Sequence, residues 1–125
     1  MYFNARSLTN KITLLQNYVS ISKPKIVAIT ETWASPNNPD GLYALPEYQL
    51  HRADRIDKRG GGVIVFIHES VTSSEVEFTL SNEFEFVCVK LRVSDKNFVG
   101  FLCIYRPPNI SNTGDLNLTK LIDKF

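Results

Sequence analysis

The stretch 26–33, Ile-Val-Ala-Ile-Thr-Glu-Thr-Trp, limits the architecture of this chain more than any other. Four apolar residues, mostly β-branched, predict a short strand buried on both faces, as in the interior of a parallel sheet. The run stops at a carboxylate, Glu31, where polar loop residues begin. Upstream, Tyr2-Phe3-Asn4 reads as the last part of another strand. Between the two, Leu8, Ile12, Leu15 and Val19 recur at helical spacing, and Leu14, Tyr18 and Ile21 widen the stripe. Ser7 is the expected N-cap of that helix, and Lys23-Pro24 its stop. Strand, helix, strand favours a parallel pair joined by a right-handed crossover. Parallel strands bring their carboxyl ends to one rim, so Asn4 and Glu31 share it, where open α/β sheets place their ligands. A lone Glu at a strand end is ordinarily a solvated loop residue. Convergence with Asn4, and with Tyr105 at a later strand end, would make Glu31 a metal ligand.

The remaining pattern is strand-rich. Residues 34–46 form a loop rich in Pro, Asn and Asp; 48–52 predict a short strand and 63–68 a central one. The segment 75–80 alternates, so one face should be wet. Residues 84–93 and 98–105 predict longer strands, the second stopped by Arg106-Pro107-Pro108, since proline cannot donate to the ladder. The stretch 115–125 has helical spacing, with Asp115 suited to an N-cap. A βαβ unit, then strands joined by short turns, then a helix define a mixed α/β domain.

At 125 residues, this is one domain or a piece of one. A net charge of +1 gives no global field to steer a polyanion, so any nucleic-acid contact must be local. Cys88 and Cys103 lie inside apolar strand runs, which predicts buried free thiols and a reducing, intracellular setting, nucleus or cytoplasm. The first residues lack the apolar core of a signal peptide, and no stretch is long enough to span a membrane.

Several residues invite a chemical reading. Gly60-Gly61-Gly62 suggests a phosphate loop, but no Lys-Ser/Thr follows and the next element is a strand, so a hairpin turn is the better reading. Arg52, Arg55, Lys58 and Arg59 around it could touch a nucleic-acid backbone, or simply form a solvated charged turn. His51 and His68 have no acid nearby in sequence and read as structural. Tyr105 next to Arg106 would set a phenolic donor beside a cation, a pair suited to a phosphate oxygen. Trp33 packs at the base of its loop or lines the mouth of a site.

Asn4-Ala-Arg6-Ser7-Leu8, then Ile29-Thr30-Glu31-Thr32-Trp33, then Arg55 followed by Gly60-Gly61-Gly62-Val63, then Tyr105-Arg106-Pro107-Pro108-Asn109 form an ordered set. Together they resemble the endonuclease/exonuclease/phosphatase superfamily, and within it the apurinic-type endonuclease domain of non-LTR retrotransposons, which precedes a reverse transcriptase. The resemblance implies a two-sheet α/β sandwich of the DNase I-like type. It also implies a divalent ion, usually magnesium, on Glu31, with Asn4 beside it and Tyr105 with Arg106 on the scissile phosphate of DNA. It covers residues 1–125 as the amino-terminal half of such a domain. The family's Asp-x-Asn and Ser-Asp-His motifs are not matched. Gly114-Asp115-Leu116-Asn117 only superficially resembles the first of them. The implied protein is therefore a truncated nuclease domain, inactive alone, with the missing half of the domain or a reverse transcriptase as partner. A phosphatase or sphingomyelinase of the same superfamily is the enzymatic alternative. A remnant that only binds nucleic acid or protein through the turn at 52–59 is the non-enzymatic one.

Overall fold

The computed structural model describes residues 1–79 and 83–125. Strand β1 (Tyr2–Asn4), helix α1 (Ile12–Ser22) and strand β2 (Ile26–Thr30) form the expected unit, with β1 and β2 parallel and Asn4 opposite Thr30. Strands β3 (Tyr48–Ala53) and β4 (Val63–His68) make an antiparallel hairpin, and β4 also runs antiparallel to β2. The first sheet is thus ordered β1-β2-β4-β3. Strands β5 (Ser73–Glu75), β6 (Glu85–Arg92) and β7 (Phe98–Tyr105) form a second, antiparallel sheet in that order, and helix α2 (Asn112–Lys124) follows.

Alternation along the strands builds the layers. Val27, Ile29, Ile64 and Phe66 turn to α1 and meet its Leu15 and Val19. Ala28, Val63, Val65 and Ile67 point the other way and pack on Val87, Val89, Leu91 and Cys103 of the second sheet. Both faces of β4 are therefore covered, which is why its sequence is apolar without a break. Each fully buried Ile or Phe there contributes about 1.5–3 kcal/mol. On the outer side of the second sheet, the ring of Phe125 lies against Gly100 of β7. Both cysteines are free and buried. Among the described residues, no helix is long and apolar enough to cross a membrane.

The element boundaries depart from the sequence pattern in three places. Helix α1 begins at Ile12 rather than just after Ser7, because Arg6 and Ser7 take left-handed conformations (φ 46° and 83°). Lys11 stands at the N-cap instead, its ammonium donating to the carbonyls of Ala5 and Ser7. Leu8 is buried in the connecting turn, while Leu14, Tyr18 and Ile21 are exposed, since the sheet covers only one narrow stripe of the helix. The edge strand at 75–80 is displaced to Ser73–Glu75, and Leu80 lies outside the described residues. Helix α2 starts at Asn112, capped by Ser111, whose Oγ accepts from the Gly114 N–H at 3.0 Å; Asp115 sits in the first turn, not at the cap.

Candidate active site

Glu31 stands where β2 runs out, and its backbone is held from both sides. Its carbonyl accepts from the Ser7 N–H (3.0 Å), and the Thr30 and Thr32 carbonyls accept from Ala5 and Leu8 (2.8 and 2.9 Å). On the opposite flank, Trp33 N–H donates to the Gly61 carbonyl at 3.0 Å and Thr32 N–H to that of Gly62. Between these clamps Glu31 and Trp33 adopt φ 52° and 56°, a left-handed conformation that disfavours ordinary side chains by about 1 kcal/mol or more. The surrounding hydrogen bonds over-determine the turn, so the Glu31 carboxylate is presented from a rigid support.

Tyr105 reaches it from the other sheet. At the end of β7, its hydroxyl donates to Glu31 Oε1 at 2.6 Å, bridging residues 74 positions apart. That bond, together with burial, pushes the phenol up to about 12, because ionising it would set two negative oxygens against each other. Opposite Tyr105 in the β6–β7 register stands Glu85, a buried carboxylate the sequence reading did not single out. Glu85 Oε1 accepts from Arg55 Nε (2.7 Å) and the Gly62 N–H (3.0 Å), and its Oε2 accepts from Arg55 Nη2 (3.3 Å). The Arg55 guanidinium carbon lies 5.6 Å from the centre of the Tyr105 ring. One continuous network therefore runs from Glu31 through Tyr105 and Arg55 to Glu85 and the glycine turn.

That network explains the three glycines. A Cβ on Gly61 would collide with Glu85 Oε1 and the Arg55 guanidinium, and one on Gly62 with Thr32 Oγ1; both residues also have positive φ, 62° and 89°. The turn is a hairpin connection, as expected, and its glycines make room for an ion pair rather than a phosphate. A signal for Glu85 existed in the sequence. It is the one acid on the face shared with Val87, Val89 and Leu91, and only an interior cation makes such a position tolerable.

The other candidates divide. Asn4 is exposed at the end of β1 on the same rim, facing the second sheet in register with Thr30. Arg106 does not join Tyr105 as expected. Its Nε and Nη2 donate to the two Asp115 oxygens at 2.8 and 2.9 Å, which holds that acid below its usual range. The strand pleat sends neighbouring residues to opposite faces, so Arg106 meets α2 while Tyr105 meets Glu31. The four cations of the turn do not form one patch either. Arg52 is committed to Asp54 (2.6 Å), Asp40 (3.0 Å) and the carbonyls of Ser35 and Asn38, pinning the loop after Trp33. Arg55 is committed to Glu85. Lys58 and Arg59 remain exposed, with the Arg59 guanidinium 5.4 Å from the Trp33 ring centre. His51 pairs with Glu75 (3.1 Å) and His68 with Ser70 (2.7 Å), in keeping with structural roles.

Among the described residues, no three His, Cys, Asp or Glu side chains cluster as a closed metal cage. One half-buried carboxylate, with an exposed amide ending the neighbouring strand, instead fits a hard cation that keeps most of its water and takes substrate oxygens.

A mixed two-sheet sandwich with a carboxylate and a tyrosine meeting at one end defines the class. The endonuclease/exonuclease/phosphatase family model matches residues 1–121, and the chain belongs to that family. Its fold superposes on an AP endonuclease from Leishmania major with a TM-score of 0.73 at 16% identity, over 97% of this chain and 42% of that one. An AP endonuclease from Archaeoglobus fulgidus gives 0.63 at 16% identity, over 97% and 47%. A humanized D. rerio TDP2 gives 0.61 at 15%, over 98% and 57%. At such identities the likeness is one of fold, and the chain spans about half the length of these structures. No curated protein sequence matches.

Proposed function

We propose that this chain carries the metal-holding part of a site for hydrolysing phosphodiesters in DNA, with magnesium as the cation, and that alone it does not turn over. The observation that carries the reading is the 2.6 Å contact between Tyr105 and Glu31, made across the two sheets by residues that the family resemblance pairs at the site. Glu31 would hold the cation, with the Asn4 amide completing the protein's share. The cation, when bound, supplies charge neutralisation at the phosphate and the leaving oxygen. Tyr105 keeps its proton across the physiological range and so acts as a hydrogen-bond donor; its one O–H holds Glu31 in place here and would reach a phosphate oxygen by turning away from Glu31. Arg106 gives its Nε and Nη2 to Asp115, so it would offer a phosphate its Nη1 from within that pair.

Among the described residues, no histidine stands at the rim to activate the attacking water. Both histidines are engaged away from the rim, and the matched structures are about twice as long as this chain. Loss of a general base alone typically lowers rate 10²- to 10⁴-fold. The missing half of the domain, or a reverse transcriptase-bearing polyprotein of retrotransposon type, would be the natural partner. A purely electrostatic binding role for the turn at 52–59 is disfavoured, because Arg52 and Arg55 are neutralised internally.

The test is manganese binding, read by electron paramagnetic resonance, together with plasmid nicking in magnesium. The wild-type chain should bind manganese, Glu31→Gln should weaken it at least about tenfold, by analogy with the effect of even indirect perturbations of a metal site, and nicking should stay at background. Equal manganese affinity in Glu31→Gln would overturn the metal assignment. Robust nicking by the isolated chain would overturn its inactivity.

A further inference from the structure

Trp33 is the only tryptophan in the chain, and it is placed where it does little for the fold. It belongs to neither packed core, its residue is 37% exposed, and it sits two positions beyond Glu31 on the same rim. Its backbone is nonetheless fixed in a left-handed conformation by the bond to Gly61. Strain retained at an exposed aromatic, beside a candidate site, points to use rather than to packing. The Arg59 guanidinium lies over the indole, and Lys58 precedes it; neither side chain has an acidic partner among the described salt bridges.

An aromatic plane edged by exposed cations is the chemistry that receives a nucleobase and its adjoining phosphate. Base–aromatic stacking tolerates any sequence, because every base has a π-face, and a neighbouring Arg adds cation–π attraction and phosphate contact. Duplex DNA buries its base faces, so a flat platform of this kind favours an unstacked base. We propose that Trp33 and Arg59 form a stacking subsite for an unstacked base of single-stranded nucleic acid, on the same rim as Glu31. This rests on the phosphodiester reading of that rim.

The single tryptophan makes the proposal directly measurable. With divalent cations chelated, the full chain is titrated with a labelled single-stranded oligothymidylate, a deoxyribose-phosphate oligomer of equal length lacking bases, and a blunt duplex. Tryptophan emission and label anisotropy are followed together. The base-bearing single strand should quench Trp33, and the abasic oligomer should bind without quenching. Trp33→Ala should weaken single-strand binding about 5- to 100-fold, the range expected for loss of one stacked base, with Trp33→Phe recovering most of it. Arg59→Ala should weaken binding and reduce the salt slope by about one. Anisotropy-detected binding with no quenching, equal quenching by the abasic oligomer, or a Trp33→Ala variant that binds normally would overturn the subsite while leaving manganese binding at Glu31 intact. Failure of every strand to bind overturns it too, and loss of manganese binding as well would remove the phosphodiester reading beneath it.

Discussion

Replacing Arg55 by Ala should be the most informative single perturbation of this fold. The guanidinium makes two hydrogen bonds to Glu85 and lies over the Tyr105 ring. Glu85 is only 7% exposed, and without Arg55 its remaining donor among the described residues is the Gly62 N–H. Stranding one member of a buried ion pair typically costs about 3–5 kcal/mol. Here the surviving N–H and the partial exposure of Arg55, 21% for its side chain, reduce the expected loss to about 2–4 kcal/mol. For a domain of this size that lowers the melting temperature by about 10 °C. Glu85→Gln keeps an acceptor for Gly62 and should lose less, about 1–2 kcal/mol. Urea and thermal unfolding followed by far-ultraviolet circular dichroism give both values. The double variant should be more stable than the sum of the two losses implies, by about 1–3 kcal/mol, because each single change already breaks the shared interaction. Strict additivity, or an Arg55→Ala loss below about 1 kcal/mol, would show that Glu85 does not depend on Arg55 and would refute the network.

Gly61→Ala should destabilise the chain by more than the roughly 1 kcal/mol of a left-handed alanine, since the new Cβ also meets the Arg55–Glu85 pair; unfolding midpoints near wild type would contradict this. Tyr105 should titrate near 12, above the ordinary phenol value of about 10, visible as the difference in phenolate absorbance between wild type and Tyr105→Phe. The folded state favours the neutral phenol, so the stability this bond provides is complete below pH 10 and lost as pH rises towards 12; titration at an ordinary value would mean that the Glu31 bond does not persist in solution. Burial pushes Cys103 up to about 11 and raises Cys88 as well, so an aromatic disulfide reagent should leave both unmodified in the native chain and modify both after unfolding.

The parts of the fold that were legible in sequence are those decided by neighbours in the chain. Val63–His68 and Phe98–Tyr105 are long apolar runs with clear stops, and both strands occur at those bounds. Elements decided from a distance were not legible. Ser7 has the chemistry of an N-cap, but its N–H is drawn to the Glu31 carbonyl, and the helix waits until Ile12. Ser73–Glu75 has little strand propensity of its own and is a strand because β6 offers it an edge; Gln49 of β3, bonded by Ser73, secures it from the first sheet. Asp115 looked like a cap until Arg106 claimed it and Ser111 took the cap.

The site shows the same division, and the division has a physical cause. That Asn4 and Glu31 share a rim follows from one local fact, the helix-sized spacing between two strands that must then run parallel. That Tyr105 meets Glu31, and that Glu85 lies beside them, depends on how two sheets are stacked, which no periodicity within either sheet encodes. The ordered motifs of the family resemblance brought Tyr105 to the Glu31 site, and residue types carried the remaining trace: an acid on an apolar face, an arginine ahead of three glycines, and an aromatic ending a strand. Each is unfavourable alone, and each becomes tolerable only in the presence of the others. The Arg55–Glu85 pair joins the hairpin of the first sheet to the second at the point where Tyr105 must reach across. The Arg55 cation lowers the Tyr105 phenol and the Glu85 charge raises it, so Arg55→Ala should push the titration point of Tyr105 further up under conditions in which the protein is still folded. A fall in the Tyr105 titration point in folded Arg55→Ala would refute this, since it would mean that the contact with Glu31 is lost together with the Arg55–Glu85 pair.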